Sequence, residues 1–262
     1  MNIIYHNNKK TSKQTENPYW MSFSDMMSGI LIIFILVCSA LVYQLSETKE
    51  KIHSNIWQLE KSIRIRNNML KEIKTSLASK GINVEVDDDT VIVPEKTLDF
   101  DSGSFDIKND NKEAAILLGK KISNALKKEE RWKLLETVFI EGHTDSLSAD
   151  KSYRKGNWEL SALRAISLWE FWTVEHYDDF GKDFLNMKEN FFDGKIMKTK
   201  SLFSVSGYAD TRRREMEDNT EEHRRKNRRI EIRFIIKSIT PAQLKKIREP
   251  LIFKEHNNES RF

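Results

Sequence analysis

An uninterrupted apolar run near the amino terminus restricts this chain more than any other feature of its sequence. From Ile30 to Leu45 the sequence reads ILIIFILVCSALVYQL and carries no charged residue. Together with the segment that begins at Trp20, the stretch has about 25 residues, enough to span a bilayer with some tilt. No clear small-x-small cleavage site of the kind that a signal peptide carries follows before Gln44. The run therefore predicts an uncleaved transmembrane helix over residues 19–45.

The charges that flank this helix predict how it crosses the membrane. Lys9, Lys10 and Lys13 precede it against one acid, Glu16, whereas the charges directly after it are balanced. Positively charged flanks tend to stay in the cytoplasm. We therefore expect residues 1–18 to form a cytoplasmic tail and everything after the helix to lie outside the cytoplasm.

A second apolar pattern follows the predicted span, over residues 46–80. Apolar residues recur with a period of about 3.5 residues, and eight of ten core heptad positions are apolar. Two structures fit: a parallel coiled coil between two copies of the chain, or an amphipathic helix lying on its own domain. We favour the dimer, because the stretch shows no other partner for the stripe, and leave open a plug that rearranges. The ten positions are Leu45, Lys49, Ile52, Ile56, Leu59, Ile63, Arg66, Leu70, Ile73 and Leu77.

Gly81 predicts a helix stop, and beyond it the pattern changes to alternating strands and helices. The order β-β-α-β-α-β-α-β predicts an α+β domain over residues 82–238, with helices packed on a mixed sheet. We expect an irregular insertion at 177–200 and a C-terminal tail at 239–262. The predicted strands are 82–86, 90–93, 137–141, 201–206 and 229–237, and the predicted helices are 109–128, 157–176 and 219–228.

Several classes of function find no support in the residues. The one cysteine, Cys38, excludes an internal disulfide. No Ser/His/Asp order, HExxH motif or carboxylate pair indicates an enzyme. His143 has acidic neighbours but no second histidine nearby, so we expect no metal site. The basic groups at 211–214 and 224–229 alternate with acids, which favours a solvated charged face over direct nucleic-acid binding.

Three sequence blocks resemble the OmpA-like peptidoglycan-binding family. They are IEGHTD at 140–145, NWELSALRA at 157–165 and NRRIEI at 227–232, and they occur in the order of the family signature. The resemblance covers residues 82–237 and implies a wall-binding α+β domain. The ligand residues it implies are Asp145, Asn157, Leu160 and Arg164, with Asn227 and Arg228 on the rim.

The chemistry of peptidoglycan suggests what two of these residues would bind. Stem peptides carry free carboxylates and, in many walls, a diaminopimelate with an ammonium and a carboxylate on one carbon. A receptor for that zwitterion needs an acid and a fixed guanidinium close together, which Asp145 and Arg164 could supply. Two simpler accounts stay open: a structural Asp145–Arg164 ion pair, and Asn157 as a helix N-cap. The loop at 146–156 departs from the family pattern, so its shape is not predicted.

One acid, Asp25, lies within the predicted membrane helix. Such an acid is costly and usually faces protein or a water path. Ser22 and Ser28 share its helix face at i−3 and i+3, as does Gly29 at i+4. This polar stripe suits another helix or a hydrated cavity. The alternative places Asp25 at the headgroup boundary, where it is merely solvated.

The sequence from tail to domain resembles the MotB family, the B subunits of ion-driven rotary stators. The span reads Phe23-Ser24-Asp25-Met26, like the aromatic-x-D-x-M pattern of that family. The resemblance implies a homodimer in the bacterial inner membrane, with the folded domain in the periplasm. It also implies that the two membrane helices lie within a ring formed by a multi-span MotA-like or ZorA-like partner. Asp25 would carry the ion, with H⁺ expected and Na⁺ possible, and no cofactor would be needed.

Within that family the amino-terminal sequence looks closer to one branch. The Pro18-Tyr19-Trp20 opening and the long insertion at 177–200 are closer to the Zorya antiphage defence type than to the flagellar type. A flagellar-type stator subunit remains an alternative. So does a static wall-binding membrane tether without ion flux.

Overall fold

The computed structural model describes residues 18–101, 103–147, 149, 152–192 and 194–238. Residues 1–17 of the predicted cytoplasmic tail and the whole of the predicted C-terminal tail lie outside the described residues. The chain divides into two compact units between Asn55 and Ile56.

A single helix, α1 (Pro18–Ala78), contains both the predicted span and the predicted linker. It is the one helix of the described residues that is long and apolar enough to cross a membrane, and the apolar side chains of its first part are exposed. The helix ends at Ala78, and the turn that follows it closes as expected at Gly81, whose φ of +78° suits a left-handed C-terminal cap. There the amide of Ile82 donates to the carbonyl of Leu77 at 3.1 Å.

The last turns of α1 are part of the folded domain. Leu70, Ile73 and Leu77 are at most 1% exposed and belong to the main hydrophobic core. Glu72, between them, forms an ion pair with Arg131 at 2.8 Å. The coiled-coil prediction is therefore wrong for these three heptad positions, and the amphipathic-helix alternative is right for them. The domain therefore begins before residue 82, its predicted start.

The earlier heptad positions behave differently. Ile52 and Ile56 are exposed in the single chain, at 41% and 46%. A coiled coil over this part of α1 stays a prediction.

The domain is built on a mixed five-stranded sheet, as predicted. Its strand order is β1-β2-β7-β3-β6; β3 and β6 run parallel, and the other neighbours pair antiparallel. Alternating apolar residues of the inner strands, such as Ile140 and Ile232, are fully buried in the core. The strands are β1 (Glu85–Asp87), β2 (Thr90–Pro94), β3 (Leu135–His143), β6 (Phe203–Gly207) and β7 (Arg229–Ile236).

Three helices follow the predicted positions, α2 (Asn109–Lys127), α3 (Asn157–Glu170) and α5 (Glu221–Asn227). Helix α3 lies very close to the sheet, because two strand residues there have no side chain. A Cβ atom on Gly142 would stand 1.9 Å from the carbonyl oxygen of Ser161, and one on Gly207 would stand 2.4 Å from the amide of Ala162. This close approach sets α3 directly beside the end of β3.

The insertion at 177–200 is regular, which corrects the expectation of an irregular segment. After α3 the chain continues through two π-helical turns, Phe171–Glu175 and Tyr177–Gly181, into α4 (Lys182–Asn186). A separate two-stranded hairpin follows, β4 (Lys188–Phe192) and β5 (Met197–Ser201). Phe180 and Phe184, both buried, tie the helical part to the core.

Candidate functional site

An open groove of about 940 Å³ lies where the ends of β2 and β3 meet the start of α3 and helix α5. Five of the six predicted wall-binding residues line it: Asp145, Asn157, Leu160, Arg164 and Arg228. Its walls carry both signs of charge. The other lining residues are Glu95, Lys96, Asp99, Phe100, Gly103, Lys108, Asp110, Asn111, Thr144, Leu147, Ala149, Glu221 and Arg225.

Arg164, on α3, supplies a buried guanidinium to this groove. The residue is 6% exposed, and its guanidinium lies 5.1 Å from the centre of the Phe100 ring. Its Nε donates to the carbonyl of Ser104 at 3.0 Å, and its Nη2 to that of Asp101 at 3.4 Å. Among the described residues no carboxylate oxygen lies within 4.0 Å of it, and burial lowers its pKa. The backbone therefore fixes a cation whose charge has no counterion.

Asp145 pairs with Arg228, not with Arg164. The Nη1 of Arg228 lies 2.5 Å from Oδ2 of Asp145, while Oδ1 of Asp145 accepts the amide of Leu147 at 3.1 Å. The alternative of a structural Asp145–Arg164 ion pair is thus wrong. The two groups still line one groove, as a receptor for a zwitterion requires.

Arg228 is held by three carboxylates. Besides Asp145 it contacts Glu95 through both Nε and Nη2, the latter at 2.9 Å, and Glu221 at 2.5 Å. Burial opposes the charge of Arg228, but the hydrogen bonds to Glu95, Asp145 and Glu221 outweigh it and raise the pKa. Arg228 is therefore fixed in place, and its ion pairs hold together the side of the groove.

Glu95 and Glu221 are site residues that the sequence motifs did not predict. Strand register could have revealed Glu95, because Pro94 pairs with Arg229 and so places Glu95 beside Arg228. Glu221 lies one residue after Thr220, whose hydroxyl accepts the amide of His223 at 3.2 Å as the N-cap of α5. A helix start recognised at Thr220 would have placed Glu221 on the first turn, seven residues before Arg228.

Asn157 shapes the loop beside the groove. Its Oδ1 accepts the amide of Ala149 at 2.8 Å, and its Nδ2 donates to the carbonyls of Asp145 and Leu147 at 3.2 and 2.8 Å. The N-cap position belongs to Gly156, so the N-cap alternative is wrong. With its amide committed to the loop, Asn157 positions Asp145.

Asn227 does not lie on the rim, which corrects that prediction. It is 0% exposed, and its Oδ1 accepts the amides of Arg214 and Glu215 at 2.8 and 2.9 Å. Its Nδ2 donates to the carbonyl of Glu215 at 2.9 Å. The residue fixes the loop that precedes α5 and stays away from the groove.

His143 belongs to a buried polar layer behind the groove. Glu141, His143 and Glu231 are close enough in space to hold a metal ion. However, Arg233 lies 3.0 Å from Glu141, and Arg229 lies 2.7 Å from Glu231. The arginines balance both carboxylates, and burial lowers the pKa of His143. Both carboxylates are thus engaged by arginine side chains, and Arg233 also pairs with Asp89 at 3.2 Å.

Asp25 lies in the predicted membrane-spanning part of α1 and is exposed in the single chain. It forms no hydrogen bond or ion pair with any described residue. On the same face, the hydroxyl of Ser28 donates to the carbonyl of Ser24 at 2.8 Å. Ser22 and Gly29 complete a polar stripe that is open to a partner.

Comparison with known proteins gives a family match and several relatives. The OmpA family model matches residues 99–179. The uncharacterized protein YtxE of Bacillus subtilis is 24% identical over 256 residues, 86% of this chain and 91% of the relative. Motility protein B of Bacillus subtilis is 27% identical over 184 residues, 70% of this chain and 56% of its own length. The Zorya protein ZorB of Escherichia coli O139:H28 is 23% identical over 232 residues, 86% of this chain and 83% of its own length.

A solved structure resembles the folded part of the chain. The putative MotB-like protein from Desulfovibrio vulgaris has a TM-score of 0.48 and 18% identity. The match covers 68% of this chain and 98% of that one.

Proposed function

We propose that this chain, a MotB-family protein with an OmpA-like domain, is the B subunit that anchors an ion-driven motor of the bacterial inner membrane to peptidoglycan. The observation that carries the anchoring role is the buried guanidinium of Arg164. It lines an open groove without a carboxylate partner among the described residues. A fixed, desolvated guanidinium without a counterion is a binding site for a ligand carboxylate.

The ligand end that fits this groove carries both charges. Arg164 would receive a carboxylate of the stem peptide in the forked geometry that guanidinium groups favour. An ammonium on the same carbon would meet the acids on the wall beside Arg228, Asp145 among them. The free end of a diaminopimelate side chain has this pair of charges on one centre.

The motor role rests on the polar stripe of α1 around Asp25. An acid within a span is stabilised by another helix or by a water path, which a ring of a multi-span partner would supply. A charge that crosses a membrane potential of 100 mV releases about 2.3 kcal/mol, so one carboxyl group per chain can couple ion flow to motion. H⁺ is the expected ion, and a homodimer through the earlier heptads of α1 would place two such acids in one ring.

Defence of the Zorya type is the favoured use of the motor. The Zorya relative aligns with most of its own length and most of this chain, whereas motility protein B aligns with about half of its own length. The Pro18-Tyr19-Trp20 opening supports the same choice. A flagellar-type stator and a static wall tether are the alternatives.

A pair of variants separates the motor from the tether. The chain, as wild type or with Asp25→Asn or Arg164→Ala, would be expressed in cells together with its multi-span partner. Plaque counts would measure protection against phage, and swimming assays on the same strains would measure motility. The motor account predicts loss of protection for both variants, at wild-type levels of protein in the membrane. Protection that survives Asp25→Asn but not Arg164→Ala would favour the tether. Loss of swimming instead of protection would favour the flagellar alternative.

A further inference from the structure

The hairpin of β4 and β5 lies at the end of the domain opposite the groove. The amide of Leu202, which follows β5, donates to the carbonyl of Met187 at 2.9 Å, and the carbonyl of Leu202 accepts the amide of Val138 near the start of β3 at 2.8 Å. The groove lies past the other end of β3, roughly 26 Å away at about 3.3 Å per residue. No described residue of the hairpin lines the groove, so wall binding does not account for the hairpin.

Ion pairs hold the base of the hairpin against the domain. Lys200 on β5 pairs with Glu136 on β3, and Glu189 on β4 pairs with Lys237 just after β7. Lys237 also donates to the carbonyl of Lys133 at 2.6 Å. The base of the hairpin therefore has a fixed place on the domain.

The tip of the hairpin exposes four large apolar side chains. Phe192 and Met197 are cross-strand partners on one face of the hairpin, and Ile196 is in the turn that joins them. Each of these three is at least 60% exposed, and Phe191 on the opposite face is also exposed. A two-stranded hairpin has no core of its own in which to bury such residues. A group of neighbouring exposed apolar side chains indicates a surface that binds a partner.

The charge around this apolar tip is positive. Residues 188–201 contain four lysines and two acids, a formal excess of two positive charges. Lys198 is the cross-strand partner of Phe191, so a lysine lies directly beside the apolar group. A second copy of the hairpin would bring like charges together, whereas an anionic surface would attract them. The lysines are Lys188, Lys195, Lys198 and Lys200, and the acids are Glu189 and Asp193.

Helix α1 reaches the domain at the same end as the hairpin. Glu72 contacts Lys128 at 3.1 Å and Arg131 at 2.8 Å, on the turn that leads into β3. From there α1 continues back along the chain to the predicted membrane span. Residues 46–68, between that span and the first core residue, measure about 35 Å as a helix, so the hairpin reaches lipid when this stretch tilts or bends.

From these observations we propose that the hairpin tip binds anionic lipid at the surface of the membrane that α1 is expected to span. The inference rests on that membrane anchoring and not on what the groove binds. Phe192, Ile196 and Met197 enter the boundary between headgroups and acyl chains, which removes their apolar area from water. The lysines around them meet the lipid phosphates, whose negative surface potential attracts basic segments.

Full-length protein reconstituted in nanodiscs tests this proposal. An environment-sensitive NBD fluorophore would be attached through Met197→Cys in a Cys38→Ala background, and the discs would contain phosphatidylcholine with or without phosphatidylglycerol. We expect phosphatidylglycerol to shift the emission to shorter wavelength and nitroxide-labelled lipid to quench it there, because the tip enters the bilayer. Met216→Cys places the label on a more exposed methionine in the loop before α5. It is the matched control and should show neither effect.

Variants of the labelled Met197→Cys protein locate the contact. Phe192→Ser and Lys198→Glu should each abolish the shift and the quenching, and Lys198→Glu keeps the apolar residues if Phe192→Ser disturbs the hairpin. Lys120→Glu changes an exposed lysine of α2 and should leave both signals as they are.

Three outcomes would overturn the proposal. They are emission that is the same in both lipids, a shift that persists in both hairpin variants, and a shift that needs two chains in one disc whatever the lipid. The last outcome would assign the tip to a second copy of the chain. Binding of the hairpin variants to sacculi should equal that of wild type, so failure of wall binding would count against the proposed function alone.

Discussion

The carboxylate of Asp145 lies 2.5 Å from the guanidinium of Arg228, and this ion pair joins the loop after β3 to the start of β7. Arg228 in turn contacts Glu95 after β2 and Glu221 on α5. One side chain thereby holds together the elements that form the wall of the groove. Arg164 is left without an acid and is free to take a ligand carboxylate.

Arg228→Met should therefore destabilise the domain. Removal of the guanidinium leaves Asp145, Glu95 and Glu221 facing one another, partly buried, and loss of one partner from such a group costs about 3 kcal/mol. The hydrogen bond from Arg228 lowers the pKa of Glu221 in wild type, so the variant should lose this stabilisation at pH 7 and differ less from wild type as the pH falls. Urea unfolding of full-length protein at pH 7 and at lower pH would measure this. A variant as stable as wild type at pH 7 would contradict the role assigned to Arg228.

Asn157→Ala tests the loop beside the groove. The variant loses three hydrogen bonds to the backbone between Asp145 and Ala149, which should cost about 2 kcal/mol. We expect faster hydrogen exchange at the amide of Ala149 and weaker binding to isolated sacculi, since Asp145 is no longer positioned. Asn190→Ala in the exposed hairpin removes an amide whose Oδ1 accepts the Thr199 hydroxyl and no other donor of the described residues, and it should change neither measurement. Unchanged exchange at Ala149 would show that the loop holds its shape by itself.

The ion pair between α1 and the domain gives a pH-dependent prediction. Hydrogen bonds from Arg131 lower the pKa of Glu72 from 4.5 to about 2. A lowered pKa contributes stability that is complete above pH 4.5 and is lost as the pH falls through the folded value near 2. Because Glu72 is 43% exposed, solvent screening limits the contribution to about 1 kcal/mol.

Glu72→Gln should accordingly unfold more easily than wild type at pH 7, with the difference fading between pH 4.5 and 2. Urea unfolding curves across that range would show it. Glu113→Gln removes an exposed acid of α2 that forms no ion pair with the described residues, and it should follow wild type throughout. A constant difference between Glu72→Gln and wild type at all pH values would contradict the ion-pair account.

The strands were predictable from sequence because their signal is local. In RIEIRFII, residues such as Ile230 and Ile232 alternate with charged residues, and they face the core as the alternation predicts. The end of α1 at Gly81 was equally readable, because a left-handed cap favours glycine. The structure of the segment at 177–200 was not predictable from local sequence, because its helical turns are stabilised by the packing of buried Phe180 and Phe184.

The partners of the site residues were harder to predict than the residues themselves. The sequence motifs predicted that Asp145 and Arg164 belong to one site. The counterion of Asp145 was not predictable, because it depends on how β2, α5 and β7 meet. Asn227 stands next to Arg228 in sequence, yet the turn from α5 into β7 sends its side chain inward. Long-range packing decides such orientations, and a local motif carries no information about it.

Binding of full-length, detergent-solubilised protein to isolated peptidoglycan sacculi tests the central claim most directly. We predict that wild-type protein co-sediments with sacculi, and that Arg164→Ala loses at least about tenfold in affinity, because a carboxylate loses its charged partner. Arg64→Ala, which removes an exposed arginine of α1, should bind like wild type, and thermal unfolding should confirm that all three proteins are folded. Wild-type co-sedimentation by a folded Arg164→Ala protein would contradict the assignment of this groove to the wall.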